Sequence, residues 1–266
     1  MTERNPRGMT KGNPRGMTEG NAHGLGQRRA GILREMGLAP LWKLRQSPRP
    51  DAPPALPRSD APARLFPESG DGRAGSIAAM GWDELRASVA ACTACELCKA
   101  RKQAVVGVGD VSPDWLFVGE GPGAEEDERG EPFVGQAGKL LDAMLSAIGL
   151  QRGRKVYIAN TVKCRPPGNR TPTPAETAAC WPFLERQIAL LRPKLIVALG
   201  KPAAQTLLQK EIKVGEARGR RFDHGGIALI VTYHPAYLLR TLADKAKTWE
   251  DLCFARSTLR EILKRV

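Results

Sequence analysis

Two pairs of cysteines, far apart in the chain, constrain this sequence more than any other feature. Cys92 and Cys95 sit in CTACELC, and Cys164 and Cys180 follow about seventy residues later in KCRPPGNRTPTPAETAAC. Each pair is local, but a site built from both pairs must be closed by tertiary structure. Four thiolates suit zinc or an iron–sulfur cluster. Cys98 extends the first pair to a C-x2-C-x2-C run and stands as an alternative to one of the four. Cys253, on the last helical run, reads as a small buried apolar residue. The N-terminus, MTERNPRGMTKGNPRGMT, has no apolar signal core. A reducing, cytoplasmic location is therefore expected, with the six cysteines serving as metal ligands or free thiols rather than disulfides. No run approaches the ~20 apolar residues of a membrane span, so none is expected.

The segments around the cysteines alternate between two periods. WDELRASVAAC is helical and delivers Cys92. DWLFVGE reads as a buried strand ending in a Gly-rich turn. AGKLLDAMLSAIGL has helical spacing, VYIANTV is a strand, and TPAETAACWPFLERQIALLRP is a helix. That helix starts at Thr173-Pro174, is capped by Glu176 and ends at Arg192-Pro193. KLIVALG (strand), KPAAQTLLQK (helix), IALIVTYH (strand) and TWEDLCFARSTLREILKRV (helix) complete the set. Strands alternating with helices predict an α/β fold: a three-layer αβα domain around a central, mainly parallel four-stranded sheet, over residues 81–266. In such sheets ligands bind beyond the carboxyl ends of the strands. The turn GEGPG, Asn160 and His234 each end or follow a strand.

Residues 1–80 read as a disordered extension. NPRGMT occurs at 5–10 and again at 13–18, and seven prolines fall within 48–67. Between them AGILREMGLAPLWKLR, at about residues 30–45, has apolar residues suited to an amphipathic docking segment or to a helix packed on the domain. Its MGLAPLWKLR faintly resembles a peptide that binds a subunit of the bacterial replication complex.

The net charge is +13. Residues 1–80 hold 13 basic and 7 acidic residues, and residues 81–266 hold 28 and 21, so the folded part is basic on its own account. Excess Lys and Arg favours a polyanionic partner through counterion release, although solubility alone would also be served.

Four further runs narrow the reading. GEGPGAEED (Gly119–Asp127) has no GK[ST] and is no phosphate-cradling P-loop. EPFVGQAG carries Phe133 in a loop, a core plug or a stacking surface. Asn160 ends the strand of YIANTVKCRPPGNR, and His234 opens HPAYLLR. Together these runs, over about residues 85–265, resemble the family 4, iron–sulfur uracil-DNA glycosylases. The resemblance implies a base-excision-repair enzyme that flips uracil from DNA and hydrolyses its N-glycosidic bond, leaving an abasic site. It implies a 4Fe-4S cluster on Cys92, Cys95, Cys164 and Cys180, with a structural role.

The same resemblance implies a pocket in which Phe133 stacks on the base and the Asn160 amide reads its edge. The backbone at Glu120 and Gly121 meets a base carbonyl, and His234 stabilises charge developing on O2. Glu126 or Asp127 would crowd the 5-methyl of thymine. Leu238, Leu239 and Arg240 correspond to a wedge that fills the gap in the duplex, against core packing as the plain alternative. Lys163, Arg165 and Arg170 are candidates for phosphate contacts. Where related branches carry a water-positioning Asp, this chain has Gly121, which leaves that task to Glu120 or another group. The partners expected are uracil-containing DNA and, through residues 30–45, a replication-complex subunit; the protein is expected to be a monomer and to have no membrane contact. A non-catalytic iron–sulfur nucleic-acid-binding or polymerase-associated module, and a zinc protein of unrelated chemistry, remain alternatives at this level.

Overall fold

The computed structural model describes residues 72–264. The repeats, the proline-rich stretch and the docking segment at 30–45 lie outside the described residues. A sheet of six strands forms the centre, in the order β1-β3-β2-β4-β6-β5. The four strands expected from sequence are β2 (Trp115–Gly119), β3 (Val156–Asn160), β4 (Leu195–Leu199) and β6 (Ile227–Thr232). They pair in parallel, with Gly119 opposite Asn160 and Leu199 opposite Thr232. Two short strands extend the expected four: β1 (Val108–Gly109) and β5 (Arg221–His224) add antiparallel at the two edges. β1 is only two half-buried residues and β5 alternates exposed with half-buried ones, so neither has the continuous apolar run of a doubly covered strand, and the pattern passes them by.

Every residue of β2, β3 and β4 is buried, and alternate side chains feed two cores. Trp115, Phe117, Ile158 and Val197 point to one face, where α4 (Gln136–Ala147) and α9 (Lys245–Leu263) bring Leu141, Leu145, Leu252 and Leu259. Leu116, Val118, Tyr157 and Ile196 point to the other, where α5 (Pro174–Leu191) and α6 (Lys201–Leu208) bring Leu184, Ile188 and Leu207. The result is the expected three layers.

A third, smaller core joins α1 (Arg73–Ala79), α2 (Trp82–Ala91) and the 3-10 turn Glu96–Lys99 to α5. Ile77, Leu85, Val89 and Leu97 pack there with Phe183, Cys164 and Cys180. Helix α1 falls inside the range assigned from sequence to the extension, and it is tied to α5: Arg73 donates to the Ala179 carbonyl at 2.9 Å and its guanidinium lies 5.0 Å from the Phe183 ring centroid. The acids after the Gly-rich turn are helical. They form α3 (Ala124–Arg129), with Glu125, Glu126 and Asp127 in its first turn, where the helix dipole favours negative charge. Two further short helices, α7 (Val214–Ala217) and α8 (Pro235–Leu238), follow. None of the described helices is long and apolar enough to cross a membrane.

Candidate active site

A cleft of about 700 Å³ opens at the carboxyl ends of the parallel strands. Glu120 and Gly121 follow β2, Asn160 ends β3, Gly200 follows β4 and His234 follows β6, and all line it together with Phe133. The fold therefore gathers residues that are far apart in sequence because the parallel register brings those strand ends side by side.

Asn160 is 2% exposed, and its Oδ1 has no hydrogen-bond partner. Buried polar atoms are nearly always paired, so an orphan acceptor at a cleft wall marks a place for an outside donor. The strand opposite makes room: a Cβ at Gly119 would come within 2.6 Å of Asn160 Oδ1 and 2.5 Å of the Phe133 ring. A side chain at position 119 would fill the space that both groups use.

Phe133 is 6% exposed, and its ring lies 5.4 Å from that of His234 with 30° between the planes. Its φ is 56°, a conformation that side-chain-bearing residues seldom adopt. Several contacts enforce it. Arg152 donates to the carbonyls of Pro132 and Phe133, and Glu126 Oε1 accepts from the N–H groups of Val134 and Gly135 at 2.9 and 3.0 Å. Gly138 lets the first turn of α4 press on this loop, since a Cβ there would lie 1.8 Å from the Phe133 oxygen.

His234 caps α8, its Nδ1 accepting from the Ala236 N–H at 3.1 Å. With Nδ1 an acceptor, the neutral ring carries its hydrogen on Nε2. The imidazole lines the cleft yet is largely enclosed by protein. That burial, helped by Arg240 and opposed by Glu126, lowers its pKa to about 4, so it is a neutral donor at physiological pH. Burial raises the pKa of Glu120, against an opposing hydrogen bond with the Thr171 side chain. At the neighbouring Gly121 a Cβ would lie 2.8 Å from Val162 Cγ2, which leaves little room for a longer side chain.

Other expected residues lie elsewhere. Asp127 is buried beneath the turn, where its Oδ1 accepts from the Lys102 N–H at 2.9 Å, and it does not line the cleft. Glu126 does, but its oxygens are occupied by the backbone of its own turn and of the Phe133 loop. Of the expected wedge, Leu238 is 1% exposed and belongs to the core, because α8 turns it inward. Leu239 is 42% exposed, as is Leu242 further along at 63%. Arg240 is exposed at the cleft rim.

Lys163 is no phosphate contact. It is buried, donating to the Asn160 carbonyl at 2.8 Å and Gln187 Oε1 at 2.6 Å, and burial lowers its pKa to about 8. Arg170 lines the cleft but forms a two-pronged pair with Glu176 at 2.8 and 2.6 Å, and Arg165 reaches Asn169 at 2.7 Å. Arg152 and Thr171 were not anticipated from sequence. Arg152 spends its hydrogen bonds mainly on backbone carbonyls, which leave no pattern of side chains to read.

A second, enclosed cavity lies between α2, the 3-10 turn and α5, lined by Cys92, Cys95, Cys98, Cys164 and Cys180. Among the described residues no three Cys, His, Asp or Glu side chains converge on a single ion; the thiols stand around a shared space. Burial raises the pKa of Cys95 and Cys164, and that of Cys180 to about 12. Cations face the sulfurs. Arg101 donates to Cys164 Sγ at 3.0 Å, Arg73 to Cys92 Sγ at 3.6 Å, and Lys163 lines the same cavity. Five thiols around one small pocket, with three cations to offset thiolate charge, are a donor set suited to a thiolate-bound metal or metal–sulfur group.

Comparison with known proteins gives consistent relatives. The family model described as the uracil DNA glycosylase superfamily matches residues 106–253. A type-4 uracil-DNA glycosylase of Thermotoga maritima is 47% identical over 174 residues, covering 64% of this chain and 90% of that protein. One of Pyrobaculum aerophilum is 44% identical over 182 residues, covering 65% and 92%. A type-5 uracil-DNA glycosylase of Mycobacterium leprae is 32% identical over 206 residues, covering 62% and 87%.

Proposed function

Because the chain belongs to the uracil DNA glycosylase superfamily, we propose that it is a type-4 enzyme that releases uracil from DNA in base excision repair. The observation that carries this reading is the buried, unpartnered Asn160 Oδ1 beside the Phe133 and His234 rings. Uracil presents on one edge an N–H flanked by two carbonyls. Asn160 Oδ1 accepts from that N–H and its amide donates to the adjacent carbonyl. The flipped base lies on Phe133. The Nε2–H of His234 donates to O2.

Cleavage of the bond between N1 and C1′ leaves the electron pair on the base, delocalised towards O2, and an oxocarbenium-like sugar. A donor held in advance at O2 stabilises that anion without a proton transfer, as suits a neutral imidazole of low pKa. Water adds to C1′, steered by Glu120; the proton it loses as the abasic sugar forms goes to the Glu120 carboxylate and, through solvent, to the departing uracil anion, so that neutral uracil is released. Exposed Leu239 and Arg240 enter the duplex gap. Lys201 and Lys213 on the cleft rim are suited to backbone phosphates. Glu126 crowds the base near C5 and braces the Phe133 loop, while Asp127, buried away from the cleft, drops out of the methyl-excluding role.

Cys92, Cys95, Cys164 and Cys180 would hold a 4Fe-4S cluster, which when bound braces the loop after β3 against α2. We take the catalytic unit to begin at about residue 72, since α1 packs on α5. We further propose that the protein acts as a cytoplasmic monomer.

The test is uracil release from a single-stranded oligonucleotide carrying one deoxyuridine, with a thymine-only control, using anaerobically purified brown protein. Release from the uracil strand alone is expected. No release by cluster-loaded protein would overturn the reading in favour of a non-catalytic nucleic-acid-binding module.

A further inference from the structure

One side chain outside the cleft is committed to the cleft's backbone. Arg152 lies in the loop between α4 and β3. Its Nη1 donates to the Pro132 carbonyl and its Nη2 to the Phe133 carbonyl, each at 2.8 Å. Its Nε donates to Asp142 Oδ1 on α4 at 3.0 Å. The planar guanidinium thus spans two consecutive carbonyls and a carboxylate, which an ammonium point charge cannot do. The carbonyls flank the residue that turns through positive φ, Phe133 at 56°. On the following peptides Glu126 takes the N–H groups of Val134 and Gly135. A cation on the carbonyls and an anion on the N–H groups hold residues 132–135 from two sides. Without the cation, the loop keeps only the Glu126 grip and its packing on Gly138, and with its carbonyls released the backbone can return to an ordinary negative φ with the ring carried off His234.

We infer that Arg152 is a positioning residue that holds the Phe133 ring against His234 through the backbone. It does not line the cleft, so it acts on the base only through that loop. The inference rests on the reading of Phe133 as the surface on which uracil stacks.

A double-mutant cycle of Arg152→Ala and Phe133→Ala tests it, with kcat/KM for uracil release, the melting temperature and a crystal structure of Arg152→Ala. Misplacing a stacking group by about 1 Å should lower kcat/KM roughly 10- to 100-fold. That loss should vanish in the Phe133→Ala background, because the group through which Arg152 acts is gone. Arg152→Lys, which reaches one carbonyl, should fall between wild type and Ala and serves if Ala fails to fold. Asp142→Asn, which spares both carbonyl contacts, should change little. The crystal structure should show the Phe133 ring away from His234. Equal losses in both Phe133 backgrounds, or a Phe133 unmoved at positive φ in Arg152→Ala, would overturn the inference. A Phe133→Ala enzyme with wild-type kcat/KM would remove the stacking role and the inference with it. If the wild-type protein released no uracil, the proposed function would fall, and the Arg152→Ala structure would still decide the clamp.

Discussion

Replacing Asn160 with alanine should cost activity while leaving stability nearly unchanged, a combination unusual for a residue only 2% exposed. In the free protein Oδ1 is buried without a partner, a penalty of about 1–3 kcal/mol that alanine removes. Alanine also forfeits packing of the amide group, a loss of about 1 kcal/mol. The two contributions oppose each other, so the net shift should stay within about 2 kcal/mol of zero. With the base bound the account differs. The amide faces two polar groups of uracil in a desolvated pocket, and alanine leaves both unpaired. A loss of about 2–4 kcal/mol in transition-state binding is expected, or roughly 30- to 1,000-fold in kcat/KM. Single-turnover release from a one-uracil oligonucleotide gives the first quantity, and urea unfolding of cluster-loaded protein gives the second. Release within about threefold of wild type would refute the base-reading role. A stability loss above about 3 kcal/mol would show that Oδ1 has a partner in the free protein, and the reasoning from the orphan would fail.

Four other outcomes follow from the same geometry. His234 has a pKa lowered to about 4, so between pH 6.5 and 4 the unfolded chain binds a proton that the folded chain resists, and stability should fall over that window as pH drops. Melting temperatures of His234→Gln should lack this part of the pH profile; an identical profile would refute the burial argument. Glu176, held by Arg170 and the Thr173 cap at a pKa of about 2, stabilises the fold above its unfolded pKa and loses that contribution as pH falls from about 4.5 towards 2. Glu176→Gln should therefore narrow the gap to wild type in acid melts. Cys164→Ser should abolish absorbance near ~400 nm and bound iron, whereas Cys253→Ser, outside the cysteine cavity, should retain both. Leu238→Ala should cost about 2–5 kcal/mol of stability as a core deletion, while Leu239→Ala should leave stability intact and slow release from duplex DNA.

The two cavities meet at Lys163. Lys163 lines the cysteine pocket, and its ammonium donates to the carbonyl of Asn160. Gln187 takes its other observed hydrogen bond and in turn donates to the Val106 carbonyl at 2.8 Å. The strand end that carries Asn160 is thus tied to the wall of the cysteine site and to α5. A disturbance of that wall has a short path of hydrogen bonds to the cleft.

What could be read from the sequence is what local chemistry dictates. Continuous apolar runs such as LIVAL demand burial on both faces, and that demand gave four parallel strands and their covering helices. Thr173, Pro174 and Glu176 mark the start of α5 because each satisfies backbone groups within one turn. The strand-end rule located Asn160 and His234, and the cysteine spacing located a shared site. The edge strands β1 and β5, half-exposed and short, left no such mark. Direction of side chains was beyond reach as well. Leu238 and Leu239 are adjacent and chemically identical, yet one fills the core and the other meets solvent because α8 turns between them. Lys163 and Asp127 carry charges that composition would send to the surface, and the fold buries both by giving them backbone partners. Arg152 is one of 41 basic residues until the loop at Phe133 folds beneath its guanidinium. Sequence determines which groups seek water and which avoid it; only the packed chain decides which backbone each polar group meets, because that depends on how the loops and strand ends carrying those partners fold, whether they lie 3 residues away, as for Lys163, or 25, as for Asp127.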